Sequence, residues 1–311
     1  MDAAVHLPQA DLTGTGFSAR RVDDVARAAA GNGFAAVCAN DHFVFSRPWL
    51  DGPTLLARVA PLIGDLDLAT TIALSPLRGP VALASALATL ASLARGRVVA
   101  GVGPGSSRDD YEALGVPFEE RWARLDESVR ILRALLGVGP PPEQTRFHPM
   151  PERWSFPELP RDRAVAVWVA SWGSPAGLRR VAGLGDGWLA SAYNTDPDRF
   201  ATGRLAVDEE CARRGRDVPL PNALATMWTY VTESPAEATR LVEDVLAPVL
   251  RRDPVDIRDR VCVGPAEVCA ELLTRYAAAG CQRVHFWPIV DETEQIGLLA
   301  ERVLPQVQLP A

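Results

Sequence analysis

Short apolar runs alternate with helical patterns along almost the whole sequence, and this alternation restricts the folds that the chain can adopt. Each of eight runs is short enough for one strand, and most are continuously apolar rather than alternating with polar residues. Continuous runs are typical of strands buried on both faces of a parallel sheet. The runs cover residues 4–7, 35–39, 66–74, 97–102, 164–170, 187–192, 223–231 and 283–287.

Helical patterns separate these runs, and they also number eight. They cover residues 19–32, 53–63, 81–94, 119–136, 175–184, 197–214, 235–250 continuing with 266–279, and 293–303. Eight strand and helix units predict an α/β protein with one (β/α)8 TIM barrel as a single domain over residues 1–311. A doubly wound open sheet is the alternative, but no GxGxxG motif follows the first run.

Two irregular segments interrupt the alternation, at residues 137–162, which include three consecutive prolines, and at residues 251–261. Both are too long for ordinary connections. We therefore expect insertion loops at the C-terminal face of the strands that cover or border a binding site.

The charged residues exclude several functions. The sequence contains no lysine, so all 32 Lys and Arg positions are arginines, and 39 acidic residues give a net charge of −7. A Schiff-base lysine and a Walker-type phosphate loop are therefore excluded. Because charges of both signs are interspersed, we expect a small-molecule substrate and no nucleic acid.

Two further expectations concern the location of the protein in the cell and the redox state of its cysteines. No apolar run reaches the roughly 20 residues of a membrane span, and the start of the chain lacks a basic signal segment, so we expect a cytoplasmic protein without membrane contact. The five cysteines are scattered and odd in number, which indicates reduced thiols.

In such barrels the chemistry lies where the strands end, so the residues after each run are the candidates. Asp41 and His42 follow the second run. A carboxylate beside an imidazole can donate a proton, orient a ligand or bind a metal, but it can also form an ordinary loop turn. No HxH or HxxE pair accompanies His42, so we expect no metal.

Two turns of small residues follow the fourth and fifth runs. In the first turn, Gly103 and Gly105 allow the backbone to approach a flat ring or an anion, and Ser106 offers a hydroxyl group. The second turn consists of Ser171, Trp172, Gly173 and Ser174. Ser174 is expected to cap a helix whose N-terminus could bind a phosphate, although the same residues would serve an ordinary helix start.

Four further residues are candidate walls of a substrate pocket, and each could equally be a packing residue. His6 ends the first run, Tyr193 and Asn194 follow the sixth, and Trp287 ends the eighth. His285, within the eighth run, is expected to be a core histidine.

Four stretches together resemble the luciferase-like monooxygenase superfamily of flavin and deazaflavin oxidoreductases. They are residues 33–43, residues 76–80 with 88–90, residues 96–105 with 114–118 and Arg121, and residues 184–188; a weaker fifth is residues 263–267 with 279–280. Together these stretches span nearly the whole chain, and they occur in the same order as in members of the family.

The resemblance implies a (β/α)8 barrel with a cofactor ring in its mouth. A bulge at the end of the third strand, often with a non-prolyl cis peptide, would support the ring, and by position it falls at Thr71 and Ile72. The cofactor phosphate would lie on the turn of Gly173 and Ser174, the same turn whose residues suit a phosphate at a helix N-terminus. Many relatives are dimers, so a homodimer is one expectation and the oligomeric state stays open.

Family members that use FMN generally add oxygen from O2, whereas those that use the deazaflavin coenzyme F-420 transfer hydride. The Asp41-His42 pair resembles the deazaflavin branch. Ser106 stands where the alcohol and sugar-phosphate dehydrogenases of that branch carry a catalytic glutamate, which argues against those substrates.

We therefore expect hydride transfer with F-420 to or from a small substrate, with an imine or activated alkene favoured. His42 would move the proton and Asp41 would help to position the cofactor. An FMN-dependent monooxygenase is the first alternative, a flavin-binding barrel without turnover the second, and a metal-dependent barrel hydrolase the third.

Because lysine is absent, arginines and backbone N–H groups must hold any anionic cofactor tail. The candidates on loops near the predicted barrel mouth are Arg47, Arg78, Arg108 and Arg153.

Overall fold

A computed structural model describes residues 1–150 and 156–309 of the chain, and nine strands form its centre. The strands are β1 (Asp2–His6), β2 (Ala36–Ala39), β3 (Asp67–Leu74), β4 (Val98–Gly103), β5 (Ala166–Ala170), β6 (Gly187–Ser191), β7 (Asn222–Val231), β8 (Cys262–Gly264) and β9 (Arg283–Pro288).

Eight of the strands close into a barrel. Strands β1 to β7 pair in sequence order, β7 also pairs with β9, and β9 pairs with β1, all in parallel. The predicted eight-stranded barrel is thus confirmed. The ninth strand, β8, pairs with Thr229, Tyr230 and Val231 at the end of β7. The sequence did not indicate it, because three residues are too few to form a recognisable pattern.

Helices surround the barrel. They are α1 (Ala19–Gly31), α2 (Gly52–Val59), α3 (Ser75–Arg78), α4 (Pro80–Leu93), α5 (Arg108–Ala113), α6 (Arg121–Leu135), α7 (Pro175–Leu184), α8 (Pro197–Arg213), α9 (Pro235–Arg240), α10 (Ala247–Leu250), α11 (Pro254–Arg258), α12 (Ala266–Ala278) and α13 (Glu292–Leu298). Each predicted helical segment contains a helix. The segment at 235–250 is divided, because a π-helical turn at Leu241–Leu246 separates α9 from α10.

Local sequence explains where many of these helices begin. Side chains at the N-cap accept a hydrogen bond from an N–H group of the first turn, and proline often follows at the first positions, where no N–H partner is needed. Such caps are Ser18, Asp51, Ser174 and Asp196. No helix of the described part combines the length and the apolar character that crossing a bilayer requires.

Close packing inside the barrel depends on a small residue at position 101. A Cβ atom on Gly101 would lie 2.1 Å from the Thr70 carbonyl oxygen and 2.4 Å from Leu189 Cδ1. Thr70 belongs to the neighbouring strand β3, and Leu189 of β6 fills the barrel interior. A larger residue at position 101 would therefore push β3 and β4 apart.

The two irregular segments differ in position. Residues 251–261 contain α11 and lie near the strand ends, where Arg251 reaches Asp109 and Arg252 reaches Asn194. The described part of residues 137–162 packs along α6 instead, where Glu127 accepts hydrogen bonds from the backbone N–H groups of Phe147 and His148 at 2.9 and 2.7 Å.

Candidate active site

A cavity of about 410 Å³ opens at the ends of β2 to β6 and beside Ala225 and Thr226 of β7. Its volume lies in the range that small-molecule sites occupy. Ten of the predicted site residues line it: Asp41, His42, Thr71, Ile72, Gly105, Ser106, Ser171, Trp172, Ser174 and Tyr193. The predicted residues Gly103, Gly173, His6, Asn194 and Trp287 lie beside or behind this wall, and no described residue of 137–162 lines the cavity.

The end of β3 forms a bulge in the cavity wall. The Thr71–Ile72 peptide is cis, as the resemblance implies, and the pairing of β3 with β4 shifts register between Thr71 and Ala73. Gly103 makes room for this bulge, because a Cβ atom there would lie 2.4 Å from Ile72 Cδ1. Gly103 therefore supports the wall from behind.

Asp41 lines the cavity, but its two carboxylate oxygens are already hydrogen-bonded within the protein. Its carboxylate, 2% exposed, accepts two hydrogen bonds of 2.6 Å from the Arg78 guanidinium and one of 3.0 Å from the Leu74 backbone N–H. Burial raises the pKa of Asp41, and the hydrogen bond and charge of Arg78 oppose that rise. Asp41 thus ties the exit of β2 to the exit of β3.

Arg78, a candidate for an anionic cofactor tail, is already paired with Asp41 and also with Asp51. Burial lowers its pKa, but the hydrogen bonds and charges of the two carboxylates outweigh that effect and raise it overall. The other candidates differ: Arg108 pairs with Glu119 at 3.0 Å, Arg47 is exposed, and Arg153 lies outside the described residues.

His42 is held by a carboxylate that the sequence analysis missed. Its Nδ1 atom lies 2.7 Å from Oδ2 of Asp110, which is 1% exposed. The other oxygen of Asp110 accepts the backbone N–H groups of Phe43 and Val44, at 2.8 Å each. Since a carboxylate only accepts, Nδ1 carries the proton and Nε2 is the ring nitrogen left for a ligand.

Aromatic rings fix the His42 ring from the other sides. The Phe45 ring stacks on it with centroids 4.2 Å apart, and Trp49 meets it edge-on at 4.7 Å. The His42 side chain is 18% exposed, and it lines the cavity. These contacts leave the imidazole little freedom to rotate.

His6 and Trp287 lie behind the bulge. His6 is fully buried, stacks on Trp287 at 4.2 Å, and has Nε2 3.2 Å from Thr71 Oγ1. Burial and the nearby His285 lower the pKa of His6 well below its usual range. Burial and Arg283 lower that of His285 to about 4. Both histidines are therefore neutral at physiological pH, and His6 acts as a support for Thr71.

The turn before α7 is preorganised. Ser171 Oγ accepts the Gly173 N–H, and Ser174 Oγ accepts the Gly177 N–H, both at 3.2 Å. Gly173 has φ of 95°, which a side chain would strain. The turn is thus held open at a helix N-terminus, where an anion is electrostatically favoured.

Arg121 lines the same cavity. It is not among the four arginines that the sequence suggested for an anionic cofactor tail. Its guanidinium lies 3.9 Å from the centroid of the Phe118 ring and donates to the Phe118 carbonyl oxygen. Within the described residues it has no carboxylate partner at ion-pair distance. The family stretch that ends at Arg121 was the available signal.

Thr226 also lines the cavity, in an unusual conformation. Its φ is 61°, and the pairing of β7 with β9 shifts register between Leu224 and Met227. A left-handed conformation is a genuine outlier for a β-branched residue and costs about 1–3 kcal/mol, and such residues cluster at ligand sites. Nothing in the sequence indicated it.

These residues fit a flavin-type cofactor. Ile72 and Leu74 offer an apolar wall, Gly105 allows close backbone approach with φ of 72°, and Arg121 and the Ser174 turn match a phosphate. No group of three metal-ligating side chains is gathered anywhere within residues 1–150 and 156–309.

Comparison with known proteins places the chain in a family. Residues 3–283 match the model of the luciferase-like monooxygenases. Among curated proteins, the chain is 32% identical over 190 residues to an F-420-dependent glucose-6-phosphate dehydrogenase of Kineococcus radiotolerans, a match that covers 57% of this chain and 53% of that protein. The chain thus spans about half the length of the curated relatives that it matches.

Solved structures share the fold over the full length. An F-420-dependent secondary alcohol dehydrogenase in complex with an F-420-acetone adduct has a TM-score of 0.81 at 18% identity, with 99% of each chain covered. The monooxygenase RslO1 of Streptomyces bottropensis has a TM-score of 0.80 at 19% identity, covering 99% of this chain and 100% of that one. An FMN complex of the oxygenating constituent of 3,6-diketocamphane monooxygenase from Pseudomonas putida has a TM-score of 0.69 at 18% identity, covering 100% and 99%.

At identities of 18% and 19%, the structural likeness shows the fold alone. The two cofactor-bound structures differ in their cofactor, since one contains F-420 and the other FMN. The family model covers most of the chain, and the cavity holds side chains suited to a flavin-type cofactor and a small-molecule substrate. The chain belongs to the luciferase-like monooxygenase family of oxidoreductases.

Proposed function

We propose that this protein uses F-420 to transfer a hydride to or from a small substrate, with an imine or activated alkene favoured. The observation that carries the proposal is the pairing of His42 with the buried Asp110 at the cavity, since it leaves one imidazole nitrogen in place to move a proton.

The cofactor would be held by residues at or after the ends of three strands, β3, β4 and β5. Thr71, Ile72 and Gly105 would contact the ring, while Ser174 and Arg121 would bind the phosphate. Asp41 would act at one remove, because its oxygens are engaged by Arg78 and the Leu74 N–H, and would hold the bulge in place. When bound, the deazaflavin supplies or accepts the hydride.

His42 would complete the proton balance of the reaction. When a hydride adds to the carbon of an imine or activated alkene, the substrate also needs one proton, which Nε2 can donate. Asp110 keeps Nδ1–H directed at itself, so Nε2 is the atom that donates when the ring carries both protons. In the opposite direction, Nε2 accepts the proton.

The walls of the cavity favour a mostly apolar substrate with one polar group. Aromatic rings come from Phe118, Trp122, Trp172 and Tyr193, and nearby hydroxyl groups come from Ser106, Ser191 and Thr226. A hydroxyl group at Ser106 cannot do the work of a carboxylate, which argues against simple alcohols and sugar phosphates as substrates.

FMN-dependent monooxygenation is the second candidate, because the Ser174 turn and Arg121 would accept the phosphate of FMN as well. A flavin-binding barrel without turnover is the third. The fixed His42–Asp110 pair argues against it, since binding alone needs no oriented proton donor.

The test is single-turnover oxidation of the reduced cofactor under argon. Protein loaded with reduced F-420 is mixed with cyclohexenone or with the cyclic imine pyrroline, and the return of oxidised deazaflavin fluorescence is followed. We expect its rate to rise with acceptor concentration. A second sample is loaded with reduced FMN, mixed with the same compounds and then exposed to air. If no acceptor restores oxidised F-420 while the FMN sample incorporates an oxygen atom into one of the compounds, the monooxygenase is the correct assignment.

A further inference from the structure

We propose that Arg252, Asn194 and Trp172 form a binding site for a carboxylate or phosphate group at the mouth of the cavity. The inference rests on the proposed function, because it assigns an anionic group to the molecule that occupies the cavity, either to the cofactor side chain or to the substrate. Neither the family resemblance nor the predicted arginine candidates include Arg252.

Arg252 follows α10 and lies at the rim of the cavity. One of its terminal nitrogens donates a 2.9 Å hydrogen bond to Asn194 Oδ1, and its guanidinium lies 5.9 Å from the centroid of the Trp172 ring. Trp172 lines the cavity, as does Tyr193, the neighbour of Asn194 in the chain. The guanidinium is therefore next to the opening.

The site is oriented by neutral groups. Asn194 donates through Nδ2 to Ser191 Oγ at 2.9 Å, which directs its carbonyl oxygen towards Arg252. A guanidinium has five N–H donors in a planar fork, and Asn194 uses one of them. The remaining donors are available for a two-point contact with a carboxylate or phosphate.

The charge around the opening also favours an anion. Within the described part of the chain, neither Arg252 nor Arg121 has a carboxylate at ion-pair distance. By contrast, Arg258 of the same segment pairs with Glu243 at 2.7 Å. Arg78 is likewise engaged, because Asp41 and Asp51 share it. The guanidinium groups of Arg121 and Arg252 are therefore the charges available to an anion at the opening, although the net charge of the chain is −7.

The preceding residue connects this segment to the far side of the mouth. Arg251 reaches Asp109 of α5 at 3.7 Å, so the segment after β7 contacts the segment after β4 across the opening. Both side chains are well exposed, and the pair contributes little to stability. Its significance is geometric, because it shows that the segment carrying Arg252 lies at the rim of the cavity.

The test uses binding and requires no turnover. The variants are Arg252→Leu, which removes the charge, Arg252→Lys, which keeps the charge but loses the fork, and Arg258→Leu as a control on the same segment. Thermal unfolding of each variant checks that the fold is retained. Arg252 has no buried partner to lose, so we expect the unfolding temperature to stay unchanged.

Two arms distinguish the source of the anion. In the first, fluorescence titration compares F-420 with the deazaflavin ring fragment that lacks phosphate and side chain. In the second, NMR titration compares benzoate with the isosteric neutral benzamide on F-420-loaded protein and on the protein alone. We expect Arg252→Leu to weaken the binding of either F-420 or benzoate about tenfold and to leave the binding of the matched neutral probe unchanged. Arg252→Lys should retain part of the affinity that Arg252→Leu loses.

The proposal is overturned if Arg252→Leu changes neither F-420 nor benzoate binding, or if the Arg258→Leu control has the same effect. Failure of the proposed function has a different signature. In that case the ring fragment does not bind even to the unaltered chain, while the preference for benzoate over benzamide persists on the protein alone and depends on Arg252.

Discussion

His42 Nδ1 and Asp110 Oδ2 lie 2.7 Å apart, and this contact joins the exit of β2 to the short helix α5 that follows β4. The same carboxylate accepts the N–H groups of Phe43 and Val44. One buried side chain therefore sets both the course of the loop after β2 and the orientation of the imidazole. The remaining nitrogen, Nε2, is in consequence the proposed site of proton transfer.

Replacing His42 tests this role. We expect His42→Ala to lower turnover about 10²- to 10⁴-fold, the usual contribution of a positioned proton donor, while cofactor affinity changes less than about threefold. Steady-state rates and fluorescence titration of the same preparation measure the two quantities. Full turnover in this variant would remove His42 from the mechanism.

Asp110→Asn separates orientation from the presence of the imidazole. The amide oxygen can still accept the N–H groups of Phe43 and Val44, but the charge beside Nδ1 is lost. We expect turnover to fall about 10- to 100-fold, by analogy with carboxylates that orient other functional histidines, and the pH dependence of kcat to shift. If Asp110→Asn only lowered the unfolding temperature and left the pH profile in place, its role would be structural alone.

Arg78 is expected to matter for stability more than for chemistry. Arg78→Met leaves the Asp41 carboxylate buried without its partner, which costs about 3–5 kcal/mol of unfolding free energy. The double variant Asp41→Asn with Arg78→Met removes the stranded charge and should recover part of the loss. Urea unfolding of both measures the difference, and equal destabilisation in the two variants would argue against a buried charge as the cause.

The buried histidines predict an acid-sensitive fold. The pKa of His285 is lowered to about 4 and that of His6 is also lowered, whereas both take a value of about 6.5 in the unfolded chain. Between those values the unfolded chain binds more protons than the folded one, so stability falls as pH falls through this window and is regained as pH rises.

Each histidine adds a slope of up to about 1.4 kcal/mol per pH unit within that window. His285→Asn keeps a donor for the Leu224 carbonyl oxygen but cannot titrate there. Urea unfolding from pH 4 to 7 should therefore give a shallower slope for this variant than for the unaltered chain. An unchanged slope would show that other groups control the acid response.

The turn before α7 makes a prediction about phosphate recognition. Ser174→Ala removes the N-cap hydrogen bond to Gly177 and should cost about 1 kcal/mol of stability. We expect it to weaken F-420 more than the ring fragment without phosphate, and FMN more than riboflavin. Titration of these four ligands provides the internal control, and equal losses for all four would place the phosphate elsewhere.

Barrel topology was predictable because it rests on a repeated pattern. Continuous apolar runs separated by helical periodicity specify parallel strands without reference to distant residues, and small-residue turns with Ser or Asp caps mark the helix starts. For the same reason, the residues directly after the strands, such as His42 and Ser174, could be named as candidates.

What could not be predicted depends on contacts between distant parts of the chain. Asp110 is 68 positions from His42, and its carboxylate resembles any other acidic residue at a helix start. Arg78 and Arg121 look equivalent in the sequence, but one is paired with Asp41 and Asp51 while the other faces the cavity. The left-handed conformation of Thr226 has no sequence signal, because β-branched residues normally avoid it.

The choice of cofactor tests the central claim most directly. Equilibrium titration of the cofactor-free chain with F-420 and with FMN, followed in parallel by fluorescence, compares the two dissociation constants under identical conditions. We predict a Kd for F-420 at least about tenfold below that for FMN, a difference of about 1.4 kcal/mol. Tight binding of FMN together with no binding of F-420 would contradict the proposed hydride transfer.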